Sequence, residues 1–208
     1  FTSNSSSPSS TINEWKWNFN YPSGIQNSVF NNNGDTSHGY LLCQSYFVSL
    51  EVEDANGCKD ETDGTDIAIV NCLPTANVSA PDVCLGLPTI FDAATPPTNS
   101  IPVPGTNIIN HTWQFVDLGV SQSIPTANNP NFQWPFLSAG THDVTLIIED
   151  DQSPSCSGER MIPIIVHDIP TVSFNWDPVC HGENTEFHAQ SNHIINDYAW
   201  DFVPPLAS

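Results

Sequence analysis

The sequence predicts an all-β protein laid out as a row of similar units. Three observations carry this. Apolar residues come in short runs that alternate with polar ones, the period of a half-buried strand. The chain holds 18 Pro and 11 Gly, which break these runs at short intervals into turns. No window sustains apolar residues at three, four and seven spacing, so long amphipathic helices have no place. In chain order, strands are expected over 46–52, 66–70, 75–80, 88–91, 111–116, 131–136, 143–149 and 161–167. Over 46–52, Val48, Leu50 and Val52 share one face. Over 111–116, Trp113 and Phe115 do the same. Over 143–149, Val144, Leu146 and Ile148 point one way while Thr145 and Glu149 point the other. About seven short strands per hundred residues with this period argue a β-sandwich.

Self-similarity at a fixed period is the strongest feature. Segment 73–93 returns as 169–189. Pro74 matches Pro170, Cys84 matches Cys180 and Phe91 matches Phe187, each at an offset of 96. Val48, Leu50 and Val52 match Val144, Leu146 and Ile148 at the same offset. Cys58 matches Cys156 at 98, which implies a two-residue loop insertion. A Trp-x-Phe element occurs three times, at Trp17 and Phe19, Trp113 and Phe115, and Trp200 and Phe202. Three units are expected: 1–72 without its first strand, 73–168 complete, and 169–208 as the start of a third, truncated one. Each junction carries a Pro, which favours a stiff join. The chain starts at Phe1 with neither Met nor a signal peptide, so it is expected to be a piece of something longer.

Charge narrows the function. Asp and Glu number 23 against 3 Lys and Arg, a net charge of −20. Such a chain has no electrostatic footprint for nucleic acid and none for an anionic membrane surface. No apolar stretch is long enough for membrane insertion of this segment. Catalytic residues are not expected. G-x-S-x-G, H-E-x-x-H and G-x-G-x-x-G are absent, and no motif orders Ser, His and Asp into nucleophile, base and orienter. No cofactor is expected, with Ca²⁺ as the one candidate. Its ligands would be drawn from Glu53, Asp54, Asp60, Asp63 and Asp66 and from Asp150 and Asp151, because hard oxygen donors suit that ion. Their spacing does not follow the calcium-loop pattern, so solvated loop acids are the favoured reading. His181, His188 and His193 read as surface residues rather than metal ligands. Trp17, Trp113 and Trp200 recur at one repeat position and belong in cores. Trp134 and Trp176 do not recur and are the candidates for a glycan contact.

One pattern resembles a known family. Trp113-x-Phe115 is followed by Gly140, then Val144-Thr145-Leu146-x-Ile148-x-Asp150, a closing strand and a Pro linker. This resembles the polycystic kidney disease (PKD) domain, an immunoglobulin-like sandwich. Val83-Cys84-x-Gly86, with a later Cys after the acidic strand end (Asp54, Gly57, Cys58, and Cys156), resembles tandem domains of giant gliding-motility adhesins of Bacteroidota. The family's usual F-G-D-G is replaced here by Phe115-Val116-Asp117-Leu118-Gly119. The resemblance implies a non-enzymatic stalk segment of a large adhesin, exported by type IX secretion to the cell surface, in surface adhesion and gliding motility. Its partners would be neighbouring repeats, and the substratum or a surface polysaccharide. The alternative is an accessory spacer or carbohydrate-binding module of a secreted polysaccharide- or protein-degrading enzyme.

Six Cys with few Lys in a β-rich chain favour an oxidising, extracellular setting. Cys43 lies just before strand 46–52 and Cys72 just after strand 66–70. If these are antiparallel neighbours, both Cys fall at one end, so Cys43–Cys72 is expected to bond. Cys58 sits in the loop at the opposite end, and its repeat partner, the equivalent of Cys84, falls upstream of residue 1. Cys84 and Cys156 are expected to pair within the middle unit, and Cys180 to await a partner beyond Ser208. No C-x-x-C occurs, so zinc is not expected.

Overall fold

The computed structural model describes residues 1–8, 10–20, 26–29 (backbone only), 33–97 and 99–202. Among these no residue is helical, so the fold is all-β. The N-terminal strands are β1 (Ile12–Asn18), β2 (Gln26–Val29), β3 (Ser45–Asp54), β4 (Lys59–Glu61) and β5 (Asp66–Ile69). They form one sheet in the order β2-β1-β3-β4, with β5 also paired to β3. The middle strands are β6 (Val83–Cys84), β7 (Thr89–Asp92), β8 (Ile108–Asp117), β9 (Val120–Pro125), β10 (Asn131–Trp134), β11 (Gly140–Asp150) and β12 (Ser157–His167). They make a sheet β6-β12-β11-β8-β9 and a two-stranded sheet β10-β7. β13 (Val172–Trp176) and β14 (Phe187–Ser191) pair as a hairpin.

Alternation builds the middle core. On β11, Val144, Leu146 and Ile148 are fully buried. They meet Trp113 and Phe115 from β8, Phe91 from β7, and Ile164 and Val166 from β12, so both middle sheets feed one core. Fully burying a side chain such as Leu146 contributes roughly 1.5–3 kcal/mol. A smaller core in the first unit gathers Trp15, Trp17, Phe19, Val48 and Leu50.

The repeat in sequence is also a repeat in register. Trp17 lies opposite Leu50, as Trp113 lies opposite Leu146. Trp15 lies opposite Val52, as His111 lies opposite Ile148. Ser79 bridges Asp92, as Asn175 pairs with His188. In the first unit, Phe1 and Thr36 exchange backbone hydrogen bonds of 2.9 and 3.0 Å. Their counterparts Phe91 and Phe132 pair between β7 and β10. Phe1 packs on Trp17 at 5.5 Å between ring centroids, as Phe91 packs on Trp113 at 5.3 Å. Phe1 thus fills the position next to Trp17 that lay empty in the strand scheme expected for the first unit.

Several strands, β6 among them, lie outside the expected set, and two departures have a clear cause. The strand over 75–80 contracts to two bridges, Thr75 with Ile101 and Ser79 with Asp92. Pro74 and Pro81 bracket it and cannot donate to a ladder. Strand β9 was not foreseen. It folds back on β8 through Leu118 and Gly119, whose φ values of 49° and 76° make the two-residue turn that suits a twisted hairpin. On the hairpin β13–β14, Phe174 and Trp176 are exposed, and Phe187 is 37% exposed where its counterpart Phe91 is fully buried.

Candidate functional site

The most distinctive polar geometry repeats at the end of β3 and of β11. Asp54 Oδ1 accepts the amides of Asn56 (2.9 Å) and Cys58 (3.0 Å). Asp150 Oδ1 accepts those of Gln152 (3.2 Å) and Cys156 (2.9 Å), and its Oδ2 accepts Gln152 Nε2. In both turns the Asp amide donates back to the Cys carbonyl, at 3.0 and 3.1 Å. Each acid is buried at the point where a hairpin turns, and it holds the turn closed. Burial alone would raise the Asp150 carboxyl, but the bonds from Cys156 and Gln152 outweigh it and hold it below the usual range.

Most of the calcium candidates carry other contacts in the fold. Asp54 and Asp150 are committed to turns. Asp151 accepts the backbone amide of Asn107 (2.9 Å) and its Nδ2 (2.8 Å), which hold its carboxyl low. Asp63 accepts Thr65 Oγ1 (2.6 Å) and the Thr65 amide (3.1 Å), and Asp60 accepts the Glu61 amide (3.0 Å). Glu53 pairs with Lys59 at 3.2 Å and with Lys16 at 3.9 Å. Both Lys also reach Glu51, whose carboxyl Lys59 first and Lys16 second hold low. Asp66 is exposed and pairs through its backbone with Val48. Among the described residues, no group of three or more His, Cys, Asp or Glu is placed to hold a metal ion. Sequence counts acids in a row; only the fold shows which of their oxygens meet amides, hydroxyls and ammonium groups.

The aromatic candidates divide. Trp134 is not a free platform. It is partly buried against the middle core, edge-on to Phe115 at 5.0 Å, and its Nε1 donates to the buried Asp117 at 3.0 Å. Trp176 is 58% exposed on β13, beside Phe174 at 5.9 Å. An open groove of about 730 Å³ on the same hairpin is lined by Phe174, Phe187, Tyr198, Trp200 and Phe202 among others. Trp17 and Trp113 are buried as expected, whereas Trp200 is 41% exposed and lies outside any strand. His181, His188 and His193 are exposed. The buried His111 and His142 are tied to main-chain carbonyls, His111 to Ala127 and His142 to Ser138, each at 2.9 Å.

Cys43 and Cys72 are bonded, as strand order predicted, with Cα atoms 4.9 Å apart. Cys84 and Cys156 are not, and that expectation is corrected. Cys84 pairs alongside His167 at the end of β12, whereas Cys156 stands just before its start. Eleven residues of strand at about 3.3 Å each separate the two ends by roughly 35 Å. A disulfide needs Cα atoms within about 7 Å. Cys58 and Cys180 are free and exposed within the chain.

No family model matches the chain, and no curated protein matches it. The assignments therefore rest on its own geometry. A disulfide is a bond of oxidising, non-cytoplasmic compartments. No helix among the described residues is long and apolar enough to cross a membrane.

One site was missed from sequence. The linker after β5 is clasped by the hairpin of β11 and β12. Asn71 Nδ2 donates to the Pro154 carbonyl (3.0 Å), and Gln152 Nε2 donates to the Cys72 carbonyl (2.9 Å). Gly158 lets the linker approach, since a Cβ there would lie 2.1 Å from the Pro74 oxygen. The expected strand began at 161, so Gly158 gave no signal; only the structure places it inside β12, where a Gly often marks close backbone approach.

Proposed function

We propose that the chain is a non-enzymatic segment of the extended stalk of a large secreted cell-surface adhesin, serving surface adhesion and gliding motility. The observation that carries this is the recurrence of cross-strand register at one offset, with Trp17 opposite Leu50 and Trp113 opposite Leu146. It supports serial PKD-like sandwiches over 1–72 and 73–168, with a third begun at 169. The common core of the two middle sheets supports the sandwich reading. The clasped linker supports a stiff join, and the net charge of −20 supports an array exposed to the medium at the cell surface. Partners are the neighbouring repeats, and the substratum or a surface polysaccharide.

Force spectroscopy on the chain, tethered at its two ends, tests the array. Extending a unit of about 96 residues releases roughly 30 nm of contour. Two separate unfolding events are expected. Reductant should lengthen the event of the first unit by roughly 10 nm, because the Cys43–Cys72 bond spans 29 residues. One merged event for the whole chain would overturn independent beads.

A further inference from the structure

The Cys43–Cys72 disulfide ends in the linker, and the hairpin that clasps this linker carries a free thiol. Gln152 holds the Cys72 carbonyl, and Asn71 holds the Pro154 carbonyl. Cys156 Sγ lies 3.9 Å from that same Pro154 oxygen, so the thiol and the Asn71 side chain converge on one atom. Cys156 is only half-buried, and its turn is pinned by Asp150. Cys58 occupies the matching turn of the first unit, pinned by Asp54. It lies beyond the far end of β3 from Cys43, roughly 35 Å of strand away. Cys84 is equally remote at the other end of β12.

We propose that Cys156 is an exchange partner for the Cys43–Cys72 disulfide, so that the joint after β5 can be locked covalently as Cys72–Cys156. The thiolate of Cys156 attacks Cys72 Sγ. A new S–S bond forms, the old one breaks, and Cys43 leaves as a thiolate that takes up a proton. One disulfide is consumed and one is formed, so no external oxidant is needed. Before exchange the bond closes a loop within the first unit. After exchange it ties the linker to the β11–β12 hairpin, and load passing through the joint is carried by a covalent bond. The chemistry stands on the contacts alone; only this mechanical consequence rests on the stalk reading.

The test is non-reducing peptide mapping of the full chain. Wild type is held at about pH 8.5, where thiols ionise, then quenched by alkylation. The Cys72–Cys156 peptide should appear in step with alkylated Cys43. In Cys43→Ser, Cys72 starts free. With oxidised and reduced glutathione each at about 0.1 mM, an effective concentration in the millimolar range favours the Cys72–Cys156 product over the mixed disulfide by roughly tenfold. Gln152→Ala, which loosens the clasp, should lower that ratio. Cys72 left as the glutathione adduct, or found with Cys58, Cys84 or Cys180 as often as with Cys156, would overturn the proposal. So would a Cys43–Cys156 product in wild type. Failure here leaves the two unfolding events of the stalk reading untouched, and loss of those events leaves this exchange standing.

Discussion

Replacing Asp150 by Asn keeps the shape of the side chain and removes its charge. In the folded protein the carboxylate is fully buried and accepts from two backbone amides and from Gln152 Nε2. The Asn amide group can still accept through Oδ1, but it sets an N–H donor against the Gln152 donor. One buried bond to a charged group is lost and two are weakened, for a cost of about 2 kcal/mol. In a unit of this size that lowers Tm by about 10 °C. The chain holds more than one core, so a single global transition does not isolate the effect. Native-state hydrogen exchange of the β8 and β11 amides reads the middle unit alone. pH supplies the second arm. The folded-state carboxyl lies below its ordinary value of 3.8. The stability it contributes is fully present above that value and is lost as pH falls through the lower folded value. The gap between wild type and Asp150→Asn should be full at neutral pH and narrow below the ordinary carboxylate value. Equal protection of the β11 amides at neutral pH, or a gap unchanged in strong acid, would refute the reasoning.

Other outcomes follow from the same contacts. Leu146→Ala removes a fully buried side chain opposite Trp113 and should cost the middle unit about 2–5 kcal/mol, read by native-state hydrogen exchange of the β8 amides. Gly158→Ala would place a Cβ against the Pro74 oxygen, so the linker must shift. Exchange protection should fall at Thr75, whose amide donates to the Ile101 carbonyl just past Pro74, with the β8 amides unchanged. Calorimetric titration with Ca²⁺ should give no binding heat, since most of the candidate oxygens are already bonded; a saturable heat would restore the calcium reading. Glu51→Gln should leave stability within about 1 kcal/mol, because partly exposed ion pairs contribute little.

Much of the fold was legible because period and repetition are local properties of a sequence. The alternation of Val144, Leu146 and Ile148 announced β11, and the offset of 96 announced that its partner strand would recur. Cys43–Cys72 was legible because both residues flank strands that pair directly. The error over Cys84 and Cys156 has the same root. Repeat position says which residues are equivalent, but not at which end of a strand each one stands. That depends on β6 running parallel to β12, a pairing without local signature. Trp134 was misjudged for a similar reason. Failure to recur at a repeat position is not exposure, and Asp117, which binds its indole, is separated from it by the unforeseen β9.

The sequence alone determined the all-β class and the strands that bury Trp113, Val144, Leu146 and Ile148, because these follow from period and turn residues. Tertiary structure alone decided what the polar groups do. The acids that looked like a cation site became turn clasps and ion pairs, and Cys156 was brought beside the linker. A carboxylate or ammonium takes its role from whichever groups the fold places within a few ångströms, and for Asp151 and Lys16 those neighbours lie dozens of residues away along the chain.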